Sequence, residues 1–200
     1  LNAADACEIV RQAARGLQYI HRNGMVHRDI KPSNLMLTLV GDDGMATDAT
    51  QVQHQAGEAC GVVKILDLGL ALLSVEKHDR LTRYDNKAMG TGMYMSPEQW
   101  KTTSVDIRAD IYSLGCTLYH LLAGNPPFFD SDLRPEKAHE KSRLPPIRTG
   151  TPIPRKLWDI LRKMLAKRPD DRYATPDEVA TDLAQLTSGS DLVSLVQGYV

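Results

Sequence analysis

Apolar residues recur at near-helical spacing close to the start of the chain, with Ile9, Ala13, Leu17 and Ile20 on one side and Val10 alongside. This pattern predicts an amphipathic helix from Ala4 to Arg22, stopped by Gly24. Two short apolar runs follow, "NLMLTLV" from Asn34 and "VVKILDL" from Val62, and both read as strands. Between them the stretch 41–61 carries four carboxylates, four glycines and no lysine or arginine, which predicts a loop. A second helix is expected from Asp106 to Ala123, marked by Ile111, Leu114, Leu118 and Leu121 and ended by "GNPPF". A third is expected from about Arg155 to Lys167, with Leu157, Ile160, Leu161, Met164 and Leu165 inward and the Lys/Arg run of 155–168 on its wet face. In "TPDEVATDLAQL", Thr175 can cap, Pro176 suits the first helical position and Glu178 completes a capping box, so a fourth helix is expected. The turn residues "TSGSD" at 187–191 read as the end of the domain and the start of a linker or C-terminal extension over 188–200. The fold class expected is mostly α (α+β), with one small β-hairpin.

Composition narrows the class without changing this picture. Two hundred residues, 42% hydrophobic and 24% charged, describe one globular domain with a real core. A net charge of −1 gives no electrostatic reason to expect nucleic acid or an anionic membrane surface as partner. Three cysteines, Cys7, Cys60 and Cys116, show no zinc-ligand spacing and favour a reducing compartment. No apolar run is long enough to span a bilayer, so a cytoplasmic protein is expected. The chain opens on Leu1 and not on methionine, which reads as a piece of something longer.

Chemistry concentrates in "VHRDIKPSNLM" at 26–36. His27, Arg28, Asp29, Lys31, Pro32 and Asn34 resemble the catalytic loop of protein kinases, H-R-D-x-K-P-x-N. Six fixed positions at ~1 in 20 each arise by chance in a chain this long on the order of once in 10⁶, so a solvated-loop reading of the set fails. The resemblance implies that Asp29 orients or accepts the proton of a substrate hydroxyl. It implies that Lys31 steadies the transferred phosphate and goes with serine/threonine specificity. Asn34 would bind magnesium through its amide oxygen. "DLG" at 67–69 resembles the family's D-F-G, with leucine in place of phenylalanine, and makes Asp67 the second magnesium ligand. By the same analogy Met36 forms the lower face of the adenine pocket of ATP.

Pairing of the two strands would bring Asn34 and Asp67 to one edge, because one opens the first strand and the other closes the second. They stand 33 positions apart, well beyond the roughly 12–17 that a tight hairpin needs. The surplus is the acidic stretch, a solvated insertion that leaves from the far end, some ~15 Å from the metal ligands. It costs only ~1.6 kcal/mol in closure entropy.

Further motifs follow in the family's order. "GTGMYMSPEQW" from Gly90 resembles the segment that seats a protein substrate, with Thr91 as the threonine that contacts Asp29 and Lys31. Ser96, Pro97 and Glu98 match A-P-E. Asp110 and Gly115 match the helix that anchors the catalytic loop, and Arg172 matches the arginine that pairs with that glutamate. His27, Glu98, Asp110 and Arg172 are thereby structural. Arg28 is a control point, expected to bind a phosphate on the activation loop, where Thr82 is preferred over Tyr84 and Asp85 offers a fixed charge. His21 is not helix-spaced with His27 and has no further ligands, so it is not expected to bind metal. Trp158 is expected in the core.

The resemblance is most like the eukaryotic-type serine/threonine kinases of bacteria and covers residues 1–187, the large lobe alone. No G-x-G-x-x-G and no strand lysine precede the catalytic loop, and Lys64 lies on the wrong strand. The function implied is ATP- and Mg2+-dependent phosphorylation of serine or threonine on protein substrates, with self-association for autophosphorylation. This stretch by itself is expected to be inactive. The alternatives are a kinase-like pseudoenzyme or scaffold module, opposed by the retention of Asp29, Asn34 and Asp67, and a small-molecule phosphotransferase, opposed by Thr91 and S-P-E.

Overall fold

Asn2 opens the first helix by accepting the backbone N–H of Asp5 at 2.8 Å. That helix, α1 (Ala3–Arg22), buries Ala6, Val10, Ala13, Ala14 and Leu17, the side its apolar spacing predicts. The structure, a computed structural model, describes residues 1–41, 46–47, 60–67, 89–148 and 152–198, with backbone alone at 46–47 and 89. Along the chain follow β1 (Leu35–Val40), β2 (Ala46–Thr47), β3 (Cys60–Ile65), α2 (Met89–Gly92), α3 (Arg108–Ala123), α4 (Pro135–Lys141), α5 (Arg155–Met164), α6 (Pro176–Leu183) and α7 (Leu192–Gln197). No helix among the described residues is long and apolar enough to cross a membrane.

β1 and β3 pair antiparallel from Leu35↔Ile65 to Val40↔Cys60, so the two strand predictions and their pairing hold. The hairpin gains a third strand that the loop reading of 41–61 does not contain. Ala46–Thr47 pairs with Val40 and Leu39, giving the order β2-β1-β3. A strand edge leaves N–H and C=O groups unpaired, and two residues of the acidic stretch are enough to cover part of it. The last two residues of that stretch, Cys60 and Gly61, already belong to β3, while 42–45 and 48–59 lie outside the described residues. The opposite edge, on β3, is covered by a side chain. Gln12 on α1 accepts the N–H of Val63 at 2.9 Å and donates to the carbonyl of Gly61 at 3.1 Å, standing in for a fourth strand.

α3 runs through the middle of the core and is buried on nearly every side. It begins at Arg108, because Asp106 turns back to accept the Arg108 N–H at 2.9 Å, and it stops at the left-handed Gly124 (φ 81°). Gly115 lets α5 close on it, since a Cβ there would stand 3.0 Å from the Cβ of Met164. α5 is shorter than expected. It ends at Met164 and frees the carbonyls of Ala166 and Lys167, both of which accept from Arg172. Lys167 is therefore not on a wet face. Its Nζ donates to the carbonyl of His139 at 2.6 Å and lies 4.6 Å from the centre of the Phe128 ring. Burial pulls its pKa down to about 8. Trp158 is half-buried against the core, with Arg162 over its ring.

Thr175 caps α6 as expected, accepting from Glu178 N. The returning half of the capping box is shifted by one residue, because Glu178 accepts from Ala174 N at 3.2 Å and not from Thr175. Residues 187–191 turn the chain back: Asp191 N donates to Asp5 at 2.8 Å and the Asp191 side chain caps α7. α7 then lies on the sheet with Leu192 buried. Gly61 is required there, since any Cβ on it would overlap the Cβ of Leu192.

Candidate active site

The loop before β1 is held from beneath by one buried carboxylate. Asp110, in the first turn of α3, accepts His27 N at 2.8 Å, Arg28 N at 2.7 Å and His21 Nε2 at 2.9 Å. A carboxylate at a helix N-terminus also faces the positive end of the helix dipole. Arg28 has φ 71°, a left-handed conformation that costs a non-glycine residue roughly 1–2 kcal/mol. Asp110 holds its N–H, and Gln99 Nε2 donates to its carbonyl at 3.0 Å, so both sides of the strained residue are pinned. Asp110→Asn replaces an acceptor with a donor between two backbone N–H groups. Loss of roughly 2 kcal/mol of stability is expected, read as a lower denaturant midpoint. An unchanged midpoint would show that the anchor carries no energy.

The bend delivers four side chains to one point. Lys31 Nζ donates to Asp29 Oδ2 and to Thr91 Oγ1, each at 2.9 Å. Asn34 Nδ2 donates to the Asp29 carbonyl at 2.7 Å and to Asp29 Oδ2 at 3.1 Å. Both partners meet Asp29 on Oδ2, leaving Oδ1 as its open acceptor among the described residues. The same bonds turn the Asn34 amide so that its Oδ1 takes no hydrogen bond from the described residues. His27 is fully buried; Nδ1 accepts Asp29 N at 3.3 Å and Nε2 donates to the Leu66 carbonyl at 3.0 Å. Thus His27 ties the loop to the strand end that carries Asp67.

Strand register does the rest. Leu66 N donates to the Asn34 carbonyl at 2.9 Å, one step beyond the Leu35↔Ile65 pair, which sets Asp67 beside the loop. Asp67 is exposed and left-handed at φ 50°, a conformation Asp adopts more readily than most residues. A free amide oxygen and a free carboxylate are hard donors, too few for a protein cage and well matched to a magnesium ion that keeps waters and shares phosphate oxygens. Among the described residues no three His, Cys, Asp or Glu side chains gather as a metal site. Met36 is 42% exposed on β1. Arg28 has a buried Nε without a partner among the described residues, while Leu68, Gly69, Thr82, Tyr84 and Asp85 lie outside them.

The segment bearing Thr91 is clamped at its far end. Arg172 reaches Glu98 with both terminal nitrogens, at 2.6 and 2.9 Å. Three further donors go to the carbonyls of Ala166, Arg108 and Lys167. Gln99, which the S-P-E motif stops short of, accepts Ser96 N and Oγ as well as holding Arg28. Its position directly after Glu98 was the only available signal. Tyr94 and His120 were also missed: the Tyr94 hydroxyl meets His120 Nδ1, joining this segment to α3. Burial raises the Tyr94 pKa to about 12 and lowers that of His120.

Over residues 1–184 the sequence matches the protein kinase domain family. Among curated proteins it is similar to the serine/threonine-protein kinase PknB of Mycobacterium tuberculosis, 35% identical over 186 residues, which is 92% of this chain and 26% of that protein. PknB of Mycobacterium leprae is 37% identical over 186 residues, again 92% and 26%. A probable serine/threonine-protein kinase PknB of Bifidobacterium longum is 34% identical over 191 residues, 94% of this chain and 25% of that protein. The chain spans about a quarter of the length of these relatives. The family match runs from α1 through the catalytic-type loop, the strand end at Asp67 and the Glu98–Arg172 clamp without leaving out any part of the site, and the chain belongs to the protein kinase domain family.

Proposed function

We propose that this chain is the large lobe, residues 1–187, of a serine/threonine protein kinase that transfers the γ-phosphoryl group of ATP to hydroxyls of protein substrates. The observation that carries this reading is the Lys31 bridge between Asp29 Oδ2 and Thr91 Oγ1. It joins the proton acceptor to the segment on which a protein substrate would lie. Phosphoryl transfer asks the protein mainly for positioning and charge neutralisation. Asp29 Oδ1 orients the substrate hydroxyl and takes its proton, while Lys31 balances charge on the transferred phosphate. Asn34 Oδ1 and Asp67 would hold magnesium, which when bound neutralises the triphosphate. Met36 supports the adenine from below. Arg28 takes a phosphate on the activation loop, at Thr82, and a second copy of the protein could supply that phosphate in trans. Free thiols at Cys7, Cys60 and Cys116 suit a reducing cytoplasm.

The test is phosphoamino-acid analysis of a protein substrate labelled by the protein that carries this chain, with Mg-ATP. Phosphoserine or phosphothreonine is expected. Label on tyrosine, on small molecules alone, or none at all would overturn the reading, the last in favour of a kinase-like scaffold. The 200 residues hold no G-x-G-x-x-G and no strand lysine ahead of His27. By themselves they are expected to bind Mg-ATP poorly and transfer no phosphate, and robust autophosphorylation by them would refute this.

A further inference from the structure

We propose that a groove beside the C-terminal end of α3 docks an acidic, extended segment of the protein substrate; this rests on the kinase reading above. The groove encloses about 500 Å³ between the end of α3, the loop 125–131 and the extended segment 142–148 that follows α4. Its shape depends on a strained residue. Phe128 stands at φ 65°, rare for a bulky side chain. It is held there by edge-on contact with His139 at 5.1 Å and by Lys167 above its ring. With Phe128 turned inward, its neighbour Phe129 lines the groove and is 53% exposed.

Charge selects the occupant. Arg143 and Arg148 line the same groove, both exposed, and neither makes an ion pair or hydrogen bond among the described residues. Other surface cations nearby are engaged: Lys101 and Lys137 both pair with Glu140. Asp130 is the single carboxylate in the lining. From Lys141 to Arg148 the sequence has three cations and no acid, so this wall of the groove is positive. Pro126, Pro145 and Pro146 stiffen the walls, which lowers the ordering cost of binding. An extended chain with carboxylates for the arginines and an apolar side chain for Phe129 fits this surface. The position suits a substrate as well. Tyr119 lines the groove, the adjacent His120 meets Tyr94, and Tyr94 lies three residues from Thr91, which touches Lys31.

The experiment is fluorescence anisotropy of the intact protein with a fluorescein-labelled peptide of glutamates around a central phenylalanine. A control peptide carries lysine in place of each glutamate. Wild-type protein is expected to bind the acidic peptide and not the control. Arg143→Glu with Arg148→Glu should weaken binding about tenfold, Phe129→Ala several-fold, and 0.5 M salt should weaken it further. These are exposed positions, so melting temperatures should stay unchanged, and the milder pair Arg143→Gln with Arg148→Gln gives the same direction should the reversal unfold the protein. Equal binding by wild type and both pairs, no binding of the acidic peptide by wild type, or a dimer that the charge reversal dissociates would overturn the proposal. Binding needs no ATP, so it stands or falls apart from phosphoryl transfer.

Discussion

Glu98→Ala is expected to destabilise the protein by about 3 kcal/mol, towards the lower end of what breaking a buried ion pair costs. The Arg172 side chain is fully buried and all five of its donors are used, two of them on Glu98. Removal of the carboxylate strands a guanidinium that cannot lose its proton, left with three carbonyls, the Tyr112 ring and the more distant Asp106 carboxylate. The Glu98 side chain keeps 19% exposure, so water can enter and soften the loss. Equilibrium unfolding in urea reads the effect as a lower midpoint at constant slope. Glu98→Ala combined with Arg172→Met should cost less than the two single changes added together, because no charge is then left buried even though three carbonyls lose their donor. A single Glu98→Ala variant within 0.5 kcal/mol of wild type would show that the pair does not hold the segment that carries Thr91.

The parts of this site that were legible in advance share one property. They either match the H-R-D-x-K-P-x-N loop at short fixed spacing, as Asp29, Lys31 and Asn34 do, or follow simple periodicity in their burial, as in α1. The meeting of Asn34 and Asp67 needed only strand alternation and antiparallel pairing. What stayed hidden depends on contacts between residues far apart in the chain. Nothing in the spacing of Gln12 marks it as the cover for the β3 edge, since an amide on a helix usually faces water. Gly61 against Leu192 joins positions that no local pattern connects, and α7 is too short to display a period. Periodicity puts Lys167 in water only if the helix runs three residues past Met164, where α5 in fact stops. The left-handed Arg28 could not be foreseen either, because the strain is stabilised by Asp110 and Gln99 from elsewhere in the sequence.

Asp29→Asn, made in the protein that carries this chain, is expected to lower kcat by a factor of about 10²–10⁴, the usual contribution of a positioned general base. The substitution is nearly isosteric, and the amide oxygen can take the place of Oδ2, where Lys31 Nζ and Asn34 Nδ2 already converge. The amide nitrogen then falls at Oδ1, the open acceptor, and presents a donor to a hydroxyl that needs to give up its proton. Lys31 loses its carboxylate partner, yet Thr91 Oγ1 still holds it in place. Asn34 and Asp67 are untouched, so KM for ATP should change little while kcat collapses. That split marks an interaction made in the transition state and not in nucleotide binding. Melting temperature should remain within a few degrees, because Asp29 is partly exposed and its backbone is pinned independently through His27 and Asp110. Retention of kcat within threefold would remove Asp29 from the reaction. A parallel rise in KM for ATP would instead place its main role in holding the metal site together.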